Sequence, residues 1–189
     1  MSYEAKGKYE VLRIVRASVM EGLEAFGIKN FECIEFAQPL LQSADRVVLL
    51  KQTGQRRVGW QRASYSDRRD VGDGSERRSV RREAWIEEQD WELTVVFKRD
   101  GAAVTEYTMT SEDVAFSLVA WFNSLGGIER LRASDCANLF VSPSSVRPYK
   151  DDSHVYQNTS TLTVQIQVPK VFEFAQPMAT PVFKGISGV

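Results

Sequence analysis

The only histidine of the chain, His154, lies beside two carboxylates and is the first candidate for acid–base chemistry. It follows Asp151 and Asp152 in a polar stretch between two apolar runs. An imidazole titrates near neutral pH, so such a group can transfer a proton or ligate a metal. Because a zinc site needs several ligands at short spacing, and this stretch offers no cysteine partner, we interpret His154 as a solvated loop residue.

We also interpret the other residues that could act in catalysis or metal binding as structural. Cys33 and Cys136 are the only cysteines and lack the spacing of a metal site or a disulfide framework, so we expect two buried thiols in a reducing compartment. Five carboxylates follow the arginine-rich part of the chain and read as a solvated, charge-balanced segment; they are Glu83, Glu87, Glu88, Asp90 and Glu92. We therefore predict no catalytic residue, no cofactor and no metal, and a protein that is not an enzyme.

Two glycine pairs were considered as phosphate-binding loops. A phosphate loop needs a strand before it and a helix that begins after it. Gly72 and Gly74 lie in a charged stretch that predicts neither element. Gly126 and Gly127 follow the last apolar residue of a helical pattern, so we expect this pair to close a helix.

The segment from Tyr65 to Glu83 is the most unusual composition in the chain. Its arginines are Arg68, Arg69, Arg77, Arg78, Arg81 and Arg82, and five acidic residues are interleaved with them. Arginine binds phosphate and is also retained in protein interfaces. Three interpretations stay open: a protein interface, which we favour, solvated disorder, or contact with nucleic acid. We predict a long charged loop over 65–84.

The elements that must position these residues centre on the stretch Thr110 to Gly127. Thr110 and Asp113 have the spacing of a capping box, and apolar residues recur at helical spacing until the glycine pair. No charge occurs from Val114 to Ile128, and the apolar surface is wider than one stripe. This helix must be covered on more than one side, either by the same chain or by a neighbouring subunit.

The remaining pattern predicts an α+β fold. Lys8 to Phe26 is an amphipathic helix that ends at a glycine. Two hairpins are expected, one turning at Thr53-Gly54 and one at Asp100-Gly101, and a short strand follows at Asn138 to Ser142. Leu162 to Val168 alternates perfectly, and Pro169 should end its pairing or place it at an edge.

We thus expect a mostly antiparallel sheet, built from two hairpins and a late strand, packed against two helices. Residues 1–172 are predicted to form a single α+β domain, and 173–189 an extended C-terminal arm. The chain of 189 residues has a net charge of -1, which excludes a generic nucleic-acid binder, and no stretch of about 20 apolar residues that could span a bilayer. The N-terminus does not resemble a signal peptide, so we expect a cytoplasmic protein with no membrane partner.

The order of these elements resembles the tail terminator or neck proteins, also termed head–tail joining proteins, of long-tailed bacteriophages. The likeness lies in an N-terminal helix, hairpins running into the apolar helix VAFSLVAWFNSL, and the late strand TLTVQIQV followed by a tail. It covers most of the chain but includes no invariant motif. The charged segment makes the first half longer than in the compact members of that family.

The resemblance implies a virion protein that is assembled in the host cytoplasm. It implies a homo-oligomeric ring, commonly a hexamer, that caps the tail tube, contacts tube or sheath protein, joins the head connector and meets DNA passing through its channel. The expected interface residues are Arg68, Arg69, Arg77, Arg78, Arg81, Arg82, Trp85, Phe174, Pro177 and Phe183. The alternative is a nucleic-acid-associated module that uses the arginine-rich segment and binds less tightly as salt rises.

Overall fold

The structure is a computed structural model, which describes residues 2–3, 7–36, 46–69, 77–97, 109–150 and 156–177. The chain divides into two compact units. Unit 1 consists of Met1–Ala5, Gly59–Trp85 and Lys170–Val189, and unit 2 of Lys6–Val58 and Ile86–Pro169. The α+β class is confirmed. No helix in the described ranges combines the length and the apolarity that a bilayer span requires.

The described residues form ten elements, of which seven are strands of one sheet. The strands are β1 (Ser2–Tyr3), β2 (Glu32–Glu35), β3 (Arg46–Arg69), β4 (Arg77–Phe97), β5 (Ala137–Val141), β6 (Ser145–Lys150) and β7 (Tyr156–Pro177), and the helices are α1 (Lys8–Ala25), α2 (Ser111–Asn123) and α3 (Leu125–Arg132). The strand order is β1-β7-β4-β3-β2, with β5 and β6 also paired to β7. β2 runs parallel to β3, whereas β5 and β6 run antiparallel to β7.

Helix α1 forms as its pattern predicts. Gly27 adopts a left-handed φ of 69° after the last turn. The Ile28 amide donates to the Leu23 carbonyl at 2.8 Å and the Gly27 amide to the Glu24 carbonyl at 2.9 Å, which satisfies carbonyls that the helix end leaves open. Ile28 is buried beside this cap.

Helix α2 begins where the sequence predicts and ends earlier. The Thr110 hydroxyl accepts from the Asp113 amide while the Asp113 carboxylate accepts from the Thr110 amide, so the capping box is present. The prediction that Gly126 and Gly127 close this helix is wrong. Ser124 interrupts the helix and caps α3 by accepting from the Gly127 amide at 3.1 Å, so both glycines lie in α3.

The physical reason is the close approach between the two helices. A Cβ on Gly127 would overlap the Trp121 carbonyl oxygen, and it would stand 3.2 Å from the Phe122 Cα. The glycine therefore lets α3 begin directly against the last turn of α2. Leu125, expected on the apolar face of one long helix, is instead 68% exposed.

The main core lies between the helices and one face of the sheet. Its buried residues come from the three helices and from strands of unit 2, and they include Trp91, Leu131 and Cys136. A second, smaller cluster joins Ile34, Val47, Leu49 and Val96. Strand neighbours of these four belong to the main core, and successive side chains point to opposite faces of a strand, so the small cluster lies on the other face of the sheet.

The prediction of a hairpin turn at Thr53-Gly54 is wrong, because both residues lie within β3. A Cβ on Gly54 would collide with the carboxylate of Asp90, so the glycine marks a close approach between strands and not a turn. Arg56 meets Glu88 and Gly54 meets Asp90. Because the residue number on β4 rises as the residue number on β3 falls, the two strands run antiparallel. The first hairpin therefore joins β3 to β4.

Three further expectations from the sequence differ from the structure. The predicted loop over 65–84 contains strand residues up to Arg69 and from Arg77 onward. The polar connector from Pro143 to Asn158 contains β6, which pairs with the start of β7. Of the two alternatives predicted for Pro169, an end to the pairing is wrong, because β7 continues to Pro177, and the edge position remains a prediction.

Unit 1 contains β1 and the parts of β3, β4 and β7 that lie within its residue ranges. Ser2 pairs with Glu173 and Tyr3 with Phe172, both antiparallel. Residues 173–177 of the predicted arm thus belong to β7, and the arm remains a prediction for 178–189. The return strand of the second expected hairpin, His154 and Phe183 lie outside the described residues.

The overlap at Gly127 predicts a position-specific loss of stability. Gly127→Ala should lower the free energy of unfolding by about 1–3 kcal/mol or more, because the new methyl group meets backbone atoms that cannot move aside. Gly126→Ala is the matched control, since its Cβ would meet side-chain atoms and no backbone: the Trp121 ring at 3.2 Å and the Ser124 hydroxyl at 3.8 Å. A helical alanine is favoured over glycine by up to about 1 kcal/mol. Urea unfolding of both variants tests this, and equal losses would contradict it.

The capping box predicts a pH dependence. Hydrogen bonds from the Thr110 amide and hydroxyl lower the pKa of Asp113 below its usual 3.8. The unfolded state therefore binds this proton more readily, and the stabilisation is present above about pH 4 and lost as pH falls through the folded pKa. Asp113→Asn should flatten the fall in stability between pH 5 and pH 2, measured by thermal unfolding. An unchanged pH profile would contradict the role of the cap.

Candidate assembly surfaces

A network of polar side chains covers part of the sheet face that points away from the helices. Glu88 accepts from Arg56 at 2.6 Å and from Gln167 at 3.2 Å, and the Asp90 carboxylate accepts from Gln165 at 2.8 Å. These bonds link β3, β4 and β7 across the sheet. Glu88 and Asp90 are therefore structural acceptors that link three strands. The prediction of a solvated segment is wrong for Glu87 and Glu88, which are both buried.

The pKa shifts of Glu88 and Cys33 agree with structural roles for these two side chains. The hydrogen bond from Arg56, then that from Gln167, lowers the pKa of Glu88, which favours the anion and opposes any role as a general acid at neutral pH. Burial raises the pKa of Cys33 to about 12, against a weaker opposing effect of Arg16. This thiol stays protonated and unreactive, as the sequence predicts for a buried cysteine.

Within the residues that the structure describes, no three His, Cys, Asp or Glu side chains come together as a metal site. Cys33 and Cys136 are both free and buried.

An aromatic stack links two strands of unit 1. Trp85 lies on Phe172 with ring centroids 4.5 Å apart and ring planes 14° from parallel, joining β4 to β7. Such pairs contribute about 0.5–1.5 kcal/mol beyond the area they bury. Arg81 forms a salt bridge with Glu83 on the same strand, so part of the arginine charge is neutralised within the unit.

The predicted interface residues fall into three groups. Arg81 and Trp85 are half-buried and Arg82 is exposed, and all three lie on β4. The backbones of six others lie in strands, namely Arg68, Arg69, Arg77, Arg78, Phe174 and Pro177. Phe183 lies outside the described residues. The structure therefore brings the four β4 arginines and Trp85 onto one strand.

An exposed stripe on α1 was not predicted from the sequence. Tyr9 is 71% exposed and Met20 39%, and Arg13 and Arg16 lie exposed between them. The spacing of four, three and four residues places all four side chains on one side of a helix. Tyr, Met and Arg are enriched in protein interfaces. The α1 flank denotes these four residues.

A second exposed stripe lies on α2. Phe116 is 70% exposed, and Glu112 and Asn123 are exposed in line with it, with the half-buried Val119 between them. The α2 flank denotes these four residues. A signal for this stripe is present in the sequence, since the apolar surface of the helix is wider than one face needs. For the α1 flank the signal was weaker, because arginines at helical spacing are typical of any solvated helix face.

Comparison with known proteins then gives one match. The family described as E217 gateway protein gp29 matches residues 10–178 of the chain, which covers α1 to the end of β7. No curated protein matches. The matching family is a phage structural family of the head–tail junction and not a class of enzymes.

The aromatic stack predicts a local effect in unit 1. Trp85→Ala should speed amide hydrogen exchange in 81–84 of β4 and 170–173 of β7, since the stack links these strands, and should leave the amides of α1 as protected as before. Arg62→Ala is the matched control, because Arg62 is an exposed side chain of the same unit. Exchange measured by mass spectrometry decides the matter, and equal protection in both variants would exclude a stabilising role for the stack.

Proposed function

The chain belongs to the E217 gateway protein gp29 family, and from this premise we propose that it is a neck subunit of a phage virion. In this proposal, copies of the chain form a closed ring, with six subunits as the expected number, at the end of the tail tube. One side of the ring contacts tube or sheath protein and the other contacts the head connector. The ring lies in the virion neck after assembly in the host cytoplasm.

One observation carries the proposal beyond the family match, and it concerns the described side chains of unit 1. The residues of both hydrophobic clusters belong to unit 2, and no described side chain of unit 1 takes part in either. Ordering a residue costs about 1–2 kcal/mol of backbone entropy, which strands normally recover by burying an apolar face. The strands of unit 1 recover this cost by burial against other virion subunits.

The arginine-rich strands and the C-terminal arm supply that burial. Arginine is retained in interfaces because its planar group forms bidentate pairs and is weakly hydrated. The predicted contacts are those of Arg68 to Arg82 and of Glu173 to Val189 with neighbouring subunits or tube proteins. Interleaved acidic residues suit a partner surface of mixed sign, which favours protein over DNA as the main partner of this segment.

The proposal is tested in the phage that encodes the chain. Deleting the gene should leave filled heads and complete tails that accumulate separately, because the ring joins them, and supplying the protein from a plasmid should restore joined particles. Electron microscopy of lysates provides the count. Joined particles at the normal frequency without the protein would overturn the proposal.

The arm is tested with a chain that ends at Pro177, the last residue of β7. This truncation should keep the circular dichroism spectrum and melting temperature of the full chain, but it should not form rings in negative-stain images. The full-length chain is the control under the same conditions. Rings formed by the truncated chain would remove the arm from the assembly contact.

A further inference from the structure

The contact between Trp121 and α1 shows which sides of α1 and α2 face each other. The indole nitrogen of Trp121 donates to the Ser18 hydroxyl at 3.2 Å, and the Trp121 ring lies against Gly22, where a Cβ would come within 2.6 Å of it. Ser18 and Gly22 are therefore on the side of α1 that faces α2. Trp121 is on the side of α2 that faces α1.

The two flanks point away from this contact. At 3.6 residues per turn, the α1 flank is centred about half a turn from Ser18 and Gly22. The α2 flank is likewise centred about half a turn from Trp121. The pair of helices therefore exposes one stripe on each of its two opposite outer sides.

Contacts between the helices and the sheet also show that the two flanks lie on opposite sides. α1 contacts β2, and the Lys8 ammonium of α1 binds the Glu35 carboxylate of β2 at 2.9 Å. α2 contacts β5, where the Asn138 side chain donates to the Phe122 carbonyl at 2.6 Å. In the strand order of unit 2, β2 and β5 lie on opposite sides of the central strands. The α1 flank is thus on the β2 side and the α2 flank on the β5 side.

The charges of the two flanks are complementary. Arg13 and Arg16 form no ion pair or hydrogen bond with any other described residue, and neither does Glu112. Each flank also presents a large apolar or aromatic side chain beside its charge, Tyr9 and Met20 on one and Phe116 on the other. Arginine, methionine and aromatic side chains are enriched in protein interfaces.

We propose that the α1 flank of one copy of this chain binds the α2 flank of the next copy. Two different surfaces on opposite sides of a subunit make a head-to-tail contact, and such contacts generate rings when the rotation between copies closes. A second copy is the occupant because the one chain carries both complementary surfaces. The proposal rests on the ring-forming part of the proposed function and names the surfaces that form the ring.

The test uses two variants that each block one flank. Arg13→Glu combined with Arg16→Glu reverses the charge of the α1 flank and leaves the α2 flank intact, whereas Phe116→Asp does the opposite. Each variant alone should remain monomeric in light scattering at concentrations where the unaltered chain assembles. A 1:1 mixture should form species of twice the subunit mass, since each variant supplies the flank that the other lacks.

Controls and contrary outcomes separate the two proposals. Glu129→Lys, an exposed charge reversal on α3 outside both flanks, should assemble as the unaltered chain does. Assembly by either blocked variant alone, or a mixture that stays monomeric, would overturn the interface while leaving the ring itself in place. An unaltered chain that is monomeric at every concentration would contradict both the interface and ring formation in solution, whereas the gene deletion tests the head–tail role independently.

Discussion

The packing of Trp121 against α1 is the contact on which the helical layer depends. Gly22 leaves room for the indole ring, and Ser18 accepts its N–H, so a large aromatic side chain joins two helices without leaving its donor unpaired. This contact fixes which sides of α1 and α2 face each other. It thereby also fixes which sides face outward, and the exposed arginines and Phe116 lie there as a consequence.

Much of the fold follows from local sequence signals. The capping box of Thr110 and Asp113, the glycine that ends α1 and the alternation from Leu162 to Val168 each correspond to an element that the structure contains. These signals are reliable because they act within a few residues. A cap satisfies backbone groups of its own helix, and strict alternation matches the two-residue period of a half-buried strand.

The errors at Thr53-Gly54 and at Gly126-Gly127 have a common physical cause, which is that glycine serves two purposes. At Gly27 it adopts a left-handed conformation that ends a helix, but at Gly54 and Gly127 it makes room for another part of the chain. Sequence alone shows only that a side chain is missing. To decide between a turn and a close approach, one must know which atoms lie next to the glycine. The neighbour of Gly54 is Asp90 on β4, and the neighbour of Gly127 is the Trp121 carbonyl in α2.

The candidate surfaces were hidden for a related reason. Arg68 to Arg82 stood out because many charges lie close together in sequence, whereas Arg13 and Arg16 look like any two charges on a solvated helix. Their position becomes informative only when Trp121 shows which side of α1 is turned away from α2. The arginine side chains of this stripe form no ion pair with a described residue of their own chain. The same chain carries Glu112 and Phe116 on the opposite outer side, so the stripe has a possible partner surface that an ordinary solvated helix face lacks. One sequence that encodes two complementary and oppositely directed stripes specifies a repeating head-to-tail contact more economically than two identical stripes, which would stop at a dimer.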